Sequence, residues 1–132
     1  MKQSIGLDFG TSNTVAVSAQ GVGATAPISF VDGNDSFTSL PTVLSFLDRG
    51  PAKALNAEVG PWAIRQFLES FGDVRFIQSL KTFAASRVFK GTGVFGVRFE
   101  FEDLMATFLQ RAFERAGAAF NPAATRLVVG RP

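Results

Sequence analysis

The sequence predicts an α/β fold, and three stretches carry that prediction. Ile5-Gly6-Leu7-Asp8-Phe9 places Ile5, Leu7 and Phe9 in alternation, as a strand does. Leu104, Met105, Phe108, Leu109, Ala112, Phe113 and Ala116 form one apolar stripe at helical spacing. Arg126-Leu127-Val128-Val129-Gly130 follows that helix and reads as a buried strand. A strand that returns after a helix joins an earlier strand in parallel.

The opening stretch continues into Gly10-Thr11-Ser12-Asn13, a small-residue turn, and Thr14-Val15-Ala16-Val17 starts a second strand. This hairpin has a carboxylate, Asp8, embedded beside free backbone N–H groups and two hydroxyls. Successive N–H groups in a tight turn make an anion-binding concavity, and small side chains let phosphate oxygens approach. A carboxylate beside it suits a magnesium ion held through water. The same residues also satisfy an ordinary surface turn.

Further along, Gln20 to Gly23 reads as a turn and Pro27 to Val31 as a third strand. Asp32 to Ser36 follows as a polar loop, and Leu40 to Leu47 as a fourth strand. Arg49-Gly50-Pro51 punctuates the chain. Pro61 suits the first helical position after Gly60. Ala63, Ile64, Phe67, Leu68 and Phe71 then predict an inward helical face, ended by Gly72. Phe76 to Phe83 predicts one or two helical turns with Lys81 on their polar side.

Gly91-Thr92-Gly93-Val94-Phe95-Gly96 matches the dinucleotide fingerprint G-x-G-x-x-G by letter. That motif needs a helix directly behind it, so that the helix N-terminus faces the pyrophosphate. Here Val97-Arg98-Phe99-Glu100-Phe101 alternates as a strand, so these glycines read as turns. The long helix beyond has Glu102 and Asp103 at its positive end and Arg111 and Arg115 towards its negative end. Gly117 is placed as its C-cap.

Composition narrows the chemistry. With 132 residues the chain fits one domain, and with 46% hydrophobic residues and 15 Phe it can bury a substantial core. The net charge of +2 is spread thinly along the chain, so no nucleic-acid surface and no membrane surface is expected. There is no Cys and no His, which excludes disulfides, a His-based triad and His- or Cys-ligated zinc. Ion chemistry would run through oxygen ligands. Nothing approaches a membrane span, and Asp8 interrupts the apolar run behind Lys2, so the expected location is cytoplasmic. The abrupt end after Arg126 to Gly130 suggests the front portion of a larger α/β protein.

Taken in order, these segments resemble the N-terminal part of the DnaK-type heat-shock chaperones, in the actin-like ATPase superfamily. The resemblance rests on Ile5 to Thr14, Leu40-Pro41-Thr42-Val43-Leu44-Ser45-Phe46, Val59-Gly60, Ser79-Leu80-Lys81 and Leu127-Val128-Val129-Gly130-Arg131-Pro132. The Gly-Arg-Pro ending is most similar to the divergent YegD-like branch. The resemblance implies a ribonuclease H-like lobe, with a core sheet and helix in residues 1–48 and 102–132. A small subdomain would be inserted at 49–101.

It also implies site residues. Gly10, Thr11, Ser12 and Asn13 match the first phosphate loop around the β- and γ-phosphates of ATP. Asp8 matches the carboxylate that holds hydrated magnesium. Lys81 matches the catalytic lysine that contacts the γ-phosphate and orients the attacking water. Pro132 matches a proline tied to inter-domain signalling. ATP or ADP and magnesium would be the cofactors, and unfolded client proteins and co-chaperones the partners, met through other regions. The second phosphate loop and the adenosine pocket lie outside these residues, so the expectation for the chain alone is catalytic silence and weak nucleotide binding. Two alternatives remain open: an actin-like sugar kinase or filament-forming ATPase, and a binding-only module whose phosphate loop is vestigial.

Overall fold

A computed structural model describes residues 3–130. It is a mixed α/β domain of three α-helices and several small sheets, one of them mixed parallel and antiparallel. The expectation placed on Pro132 lies outside the described residues.

The mixed sheet begins with β1 (Gln3–Phe9) and β2 (Asn13–Ala19), which pair antiparallel from Ser4↔Ala19 to Phe9↔Thr14. Ile5, Leu7 and Phe9 point inward and are buried, while Gly6 and Asp8 face outward. β3 (Thr25–Pro27) extends the sheet beyond β2. A two-residue strand, β6 (Leu40–Pro41), pairs with Asn13 and Thr14 at the start of β2. On the far side, β12 (Thr125–Val129) runs parallel to β1 in unbroken register from Gln3↔Thr125 to Leu7↔Val129. The predicted parallel return is thus present, but the strand is not buried: it stands at the edge of the sheet with Leu127, Val128 and Val129 all exposed.

The stretch from Pro27 to Ser36 departs from expectation. The single third strand is two, β3 and β4 (Phe30–Asp32), broken where Ile28 turns into the core. The polar loop is a hairpin: β4 pairs with β5 (Asp35–Phe37) across Gly33-Asn34, and Gly33 takes the positive φ of 57° that this tight turn requires.

The predicted strand Leu40 to Leu47 is likewise split. The Thr42 N–H donates to the Ser12 carbonyl at 2.9 Å, and its buried hydroxyl meets that of Thr14 at 2.8 Å. The Val43 N–H then donates back to the Pro41 carbonyl, which closes a tight bend. The chain re-emerges in a second sheet as β7 (Leu44–Leu47), flanked antiparallel by β8 (Asn56–Val59) and β9 (Val74–Ile77).

α1 (Gly60–Glu69) begins beside Pro61 as expected, but its inward face differs. Trp62 and Ala63 are buried, whereas Ile64, Leu68 and Phe71 are exposed. The indole of Trp62 meets Phe37 edge-on, 5.6 Å between centroids, and this contact sets the rotation of the helix. The helix ends at Glu69, before Gly72. Phe76 and Ile77 belong to β9, and the predicted helical turns start only at α2 (Leu80–Ala85).

The glycine-rich stretch forms a hairpin of β10 (Thr92–Val94) and β11 (Val97–Phe99), with no helix at its glycines. α3 (Phe101–Ala116) begins with a capping box in which Glu100 and Asp103 each accept a backbone N–H of the other's turn. Its stripe is the predicted one: Leu104, Phe108, Ala112 and Ala116 are buried, and Met105, Leu109 and Phe113 pack beside them. One continuous core joins this helix to β1, β7 and α1, with Phe9 and Phe108 in edge-to-face contact at 5.6 Å. Among the described residues, no helix is long and apolar enough to cross a membrane.

Candidate phosphate-binding turn

The turn between β1 and β2 is held by two backbone hydrogen bonds. The Gly10 N–H donates to the Asn13 carbonyl at 2.9 Å, which leaves Thr11 and Ser12 as a two-residue tip. Gly10 has no positive φ, so its backbone angles do not demand glycine. Space does: a β-carbon there would lie 2.4 Å from the Asn13 carbonyl oxygen. The second bond is the Thr42 N–H on the Ser12 carbonyl. Thr11, Ser12 and Asn13 are exposed.

Among the described residues, neither the N–H groups of Thr11 and Ser12 nor their hydroxyls have a hydrogen-bond partner. Two adjacent free donors on a fixed backbone are what an anion needs, because little conformational entropy is lost when it binds.

Asp8 lies two residues before the turn, on the outward face of β1 and opposite Val15. It borders a shallow depression of about 310 Å³ lined by Gly6, Val15, Val17, Val128 and Gly130. The Gly130 N–H donates to the Leu7 carbonyl at 3.0 Å, so β12 ends beside Asp8. The carboxyl ends of the two parallel strands, β1 and β12, therefore meet at the same rim as the turn. Open α/β sheets bind ligands at such rims. Among the described residues there is no cluster of three carboxylates that would enclose a metal. A magnesium ion at Asp8 would take its remaining ligands from water and phosphate oxygens, which is its usual habit.

Lys81 lies on a different element. It occupies the first turn of α2, which packs against α3, and is half-buried with no hydrogen bond or ion pair among the described residues. Its neighbour Leu80 is fully buried and anchors the helix. Ser79, the residue before Leu80, has φ 63° and ψ 34°, a left-handed conformation costing a non-glycine residue about 1–3 kcal/mol. The structure thus brings Asp8 together with Gly10, Thr11, Ser12 and Asn13. It places Lys81 on a separate element, with no partner for its ammonium among the described residues.

Thr42 is the positioning residue that sequence reasoning missed. Its signal was the threonine that follows Pro41 in an otherwise apolar run. A second feature was also hidden: the densest charge cluster lies elsewhere, around buried Glu58 on β8. Glu58 Oε1 accepts from Arg111 at 2.6 Å and from Arg115 at 2.7 Å. Arg115 also pairs with Asp32 at 3.1 Å and lies 4.4 Å over the Trp62 ring. The hydrogen bond that Arg111 donates to Glu58, with a second donated to Glu114, outweighs burial and raises the Arg111 guanidinium above its ordinary value. Both arginines are committed to protein carboxylates, so the cluster clasps α3 to β8, β4 and α1. The chain matches no protein-family model, and no curated protein matches it.

Proposed function

We propose that Asp8 and Gly10 to Asn13 form a phosphate-binding loop, the first half of an ATP site of the actin-like type. The observation that carries this reading is the pair of unpartnered N–H groups at Thr11 and Ser12, fixed on a rigid turn beside an outward carboxylate. On this reading the mixed sheet with α3 is the opening of a ribonuclease H-like lobe, and the parent activity is ATP hydrolysis in a DnaK-type chaperone.

Bound ATP and magnesium would supply a phosphoryl group for transfer to water. On this reading Thr11 and Ser12 would donate to phosphate oxygens and Asp8 would receive hydrated magnesium, while Lys81, on a separate element, is assigned to the charge developing on the phosphoryl group by the resemblance alone. Two or three hydrogen bonds of about 1 kcal/mol each amount to millimolar affinity at best. Half a site therefore binds weakly and does not turn over. Titration calorimetry with magnesium-ATP tests this. A millimolar or weaker isotherm without phosphate release is expected, whereas a stoichiometric micromolar site would contradict the half-site.

A binding-only module is the second reading. It is favoured by the bare apolar face of Val15, Val17 and Val128 beside Asp8.

A further inference from the structure

Three buried polar atoms around one guanidinium have no hydrogen-bond partner among the described residues: Glu58 Oε2, Trp62 Nε1 and Arg115 Nε. They belong to one contact group. Arg115 donates from Nη2 to Glu58 Oε1 at 2.7 Å, and its guanidinium lies 4.4 Å over the Trp62 ring. Trp62 is 4% exposed and Glu58 8%. Buried polar groups in folded proteins are nearly always paired, and one left unpaired is costly. Three in one place ask for a shared partner.

The same three side chains line a depression of about 260 Å³ between α1 and β8. Gln66 on α1, Leu47 on β7 and Asp32 on β4 complete its wall, so five elements of this chain build it. The volume falls below the usual range for drug-sized ligands, which limits the occupant to a compact molecule.

Hydrogen-bonding capacity narrows the chemistry. Trp62 Nε1 and Arg115 Nε can only donate, and the ionised Glu58 Oε2 can only accept. The partner therefore takes two N–H bonds and gives one. Glu58 and Arg115 already compensate each other's charge, so a charged ligand would bring an unpaired charge to this depth. The partner is neutral. Arg115 makes the bond from Nη2 to Oε1, but the parallel bond that a fork would add, from Nε to Oε2, is missing. Donor and acceptor thus stand apart, and two atoms bridge them better than one.

We propose that this depression binds a small molecule through a primary carboxamide group. The amide oxygen accepts from Trp62 Nε1 and Arg115 Nε, and the amide nitrogen donates to Glu58 Oε2. The site shares no residue with the candidate phosphate turn, so each stands or falls separately.

Trp62 is the single tryptophan of the chain, so its indole N–H resonance reports on this place alone. The test titrates acetamide into the isotopically labelled 132-residue chain and follows that resonance. A saturable shift is expected. Acetamide should bind roughly tenfold or more tightly than N,N-dimethylacetamide, which lacks the N–H donor, and than 2-propanol, which offers one oxygen in a body of similar size. Glu58→Gln weakens the acceptor and should reduce acetamide binding by a similar factor. No saturable indole shift, equal affinity for the three compounds, or binding indifferent to Glu58→Gln overturns the proposal. A slowly exchanging water held at the indole N–H that acetamide does not displace also overturns it, since water then fills the place. Should Glu58→Gln fail to fold, the three compounds on the wild-type chain decide: a preference for acetamide supports the proposal, and equality overturns it.

Discussion

The backbone of Gly10 runs so close to Asn13 that a β-carbon would stand 2.4 Å from the Asn13 carbonyl oxygen. The contact lies at the base of the candidate phosphate turn, where Gly10 also donates its N–H to that same carbonyl. Gly10→Ala must push the two strands apart or lose the bond. A loss of about 1–3 kcal/mol is expected, read from the midpoint of urea unfolding. An unchanged midpoint would show that the turn has slack.

Thr14 and Thr42 share a fully buried hydroxyl pair that ties β2 to the bend after β6. Thr14→Val strands the Thr42 hydroxyl and should cost about 1–3 kcal/mol. Replacing both by Val should cost clearly less than the sum of the two single changes, because no orphan is left. Strict additivity in a double-mutant cycle would deny the pair.

Glu58 carries two arginines on one oxygen, with its side chain 10% exposed. Glu58→Gln removes the buried charge that both depend on and should destabilise the fold by about 3–5 kcal/mol. The pH dependence follows from Arg111. Its folded value is raised above the ordinary arginine value, so its stabilisation is complete below that value and fades only as pH rises through the folded one. Thermal unfolding should therefore show no contribution from Arg111 to any change between neutral and moderately alkaline pH. A loss there that disappears in Arg111→Met would contradict the assignment.

Lys81 has no hydrogen bond or ion pair among the described residues, so Lys81→Ala should change stability by no more than about 0.5 kcal/mol and leave phosphate binding at the turn intact. Ser79→Gly, which releases the left-handed strain just before it, should stabilise by about 0.5–1 kcal/mol. Chemical denaturation of both variants checks this, and a large loss in Lys81→Ala would make the lysine structural.

The elements legible in the sequence are those whose signals are local. The β1–β2 hairpin and α3 with its acidic first turn follow from periodicity within a few residues, and the parallel return of β12 follows from the connection rule for a strand after a helix. Of the second sheet only β7 was legible, as the end of the strand expected over Leu40 to Leu47; β8 and β9 are short and carry polar residues within them. Glu58 makes β8 look like a loop until Arg111 and Arg115, more than fifty residues away, neutralise it. The face of α1 was misjudged for a related reason. Phe71 lies beyond the helix end, and Trp62 outweighs it by reaching Phe37. Of the candidate site, residues 8 to 13 are contiguous and could be read directly. Thr42, which holds the turn from outside, could not.

The central claim is that the turn binds phosphate through its free amides. Titrating inorganic triphosphate and magnesium into the isotopically labelled chain, and following amide resonances, addresses it directly. The account predicts saturable millimolar shifts led by Thr11 and Ser12, spreading to Asp8 and Asn13, and lost in Gly10→Ala. Shifts that are absent at these amides, or centred elsewhere on the chain, would contradict it.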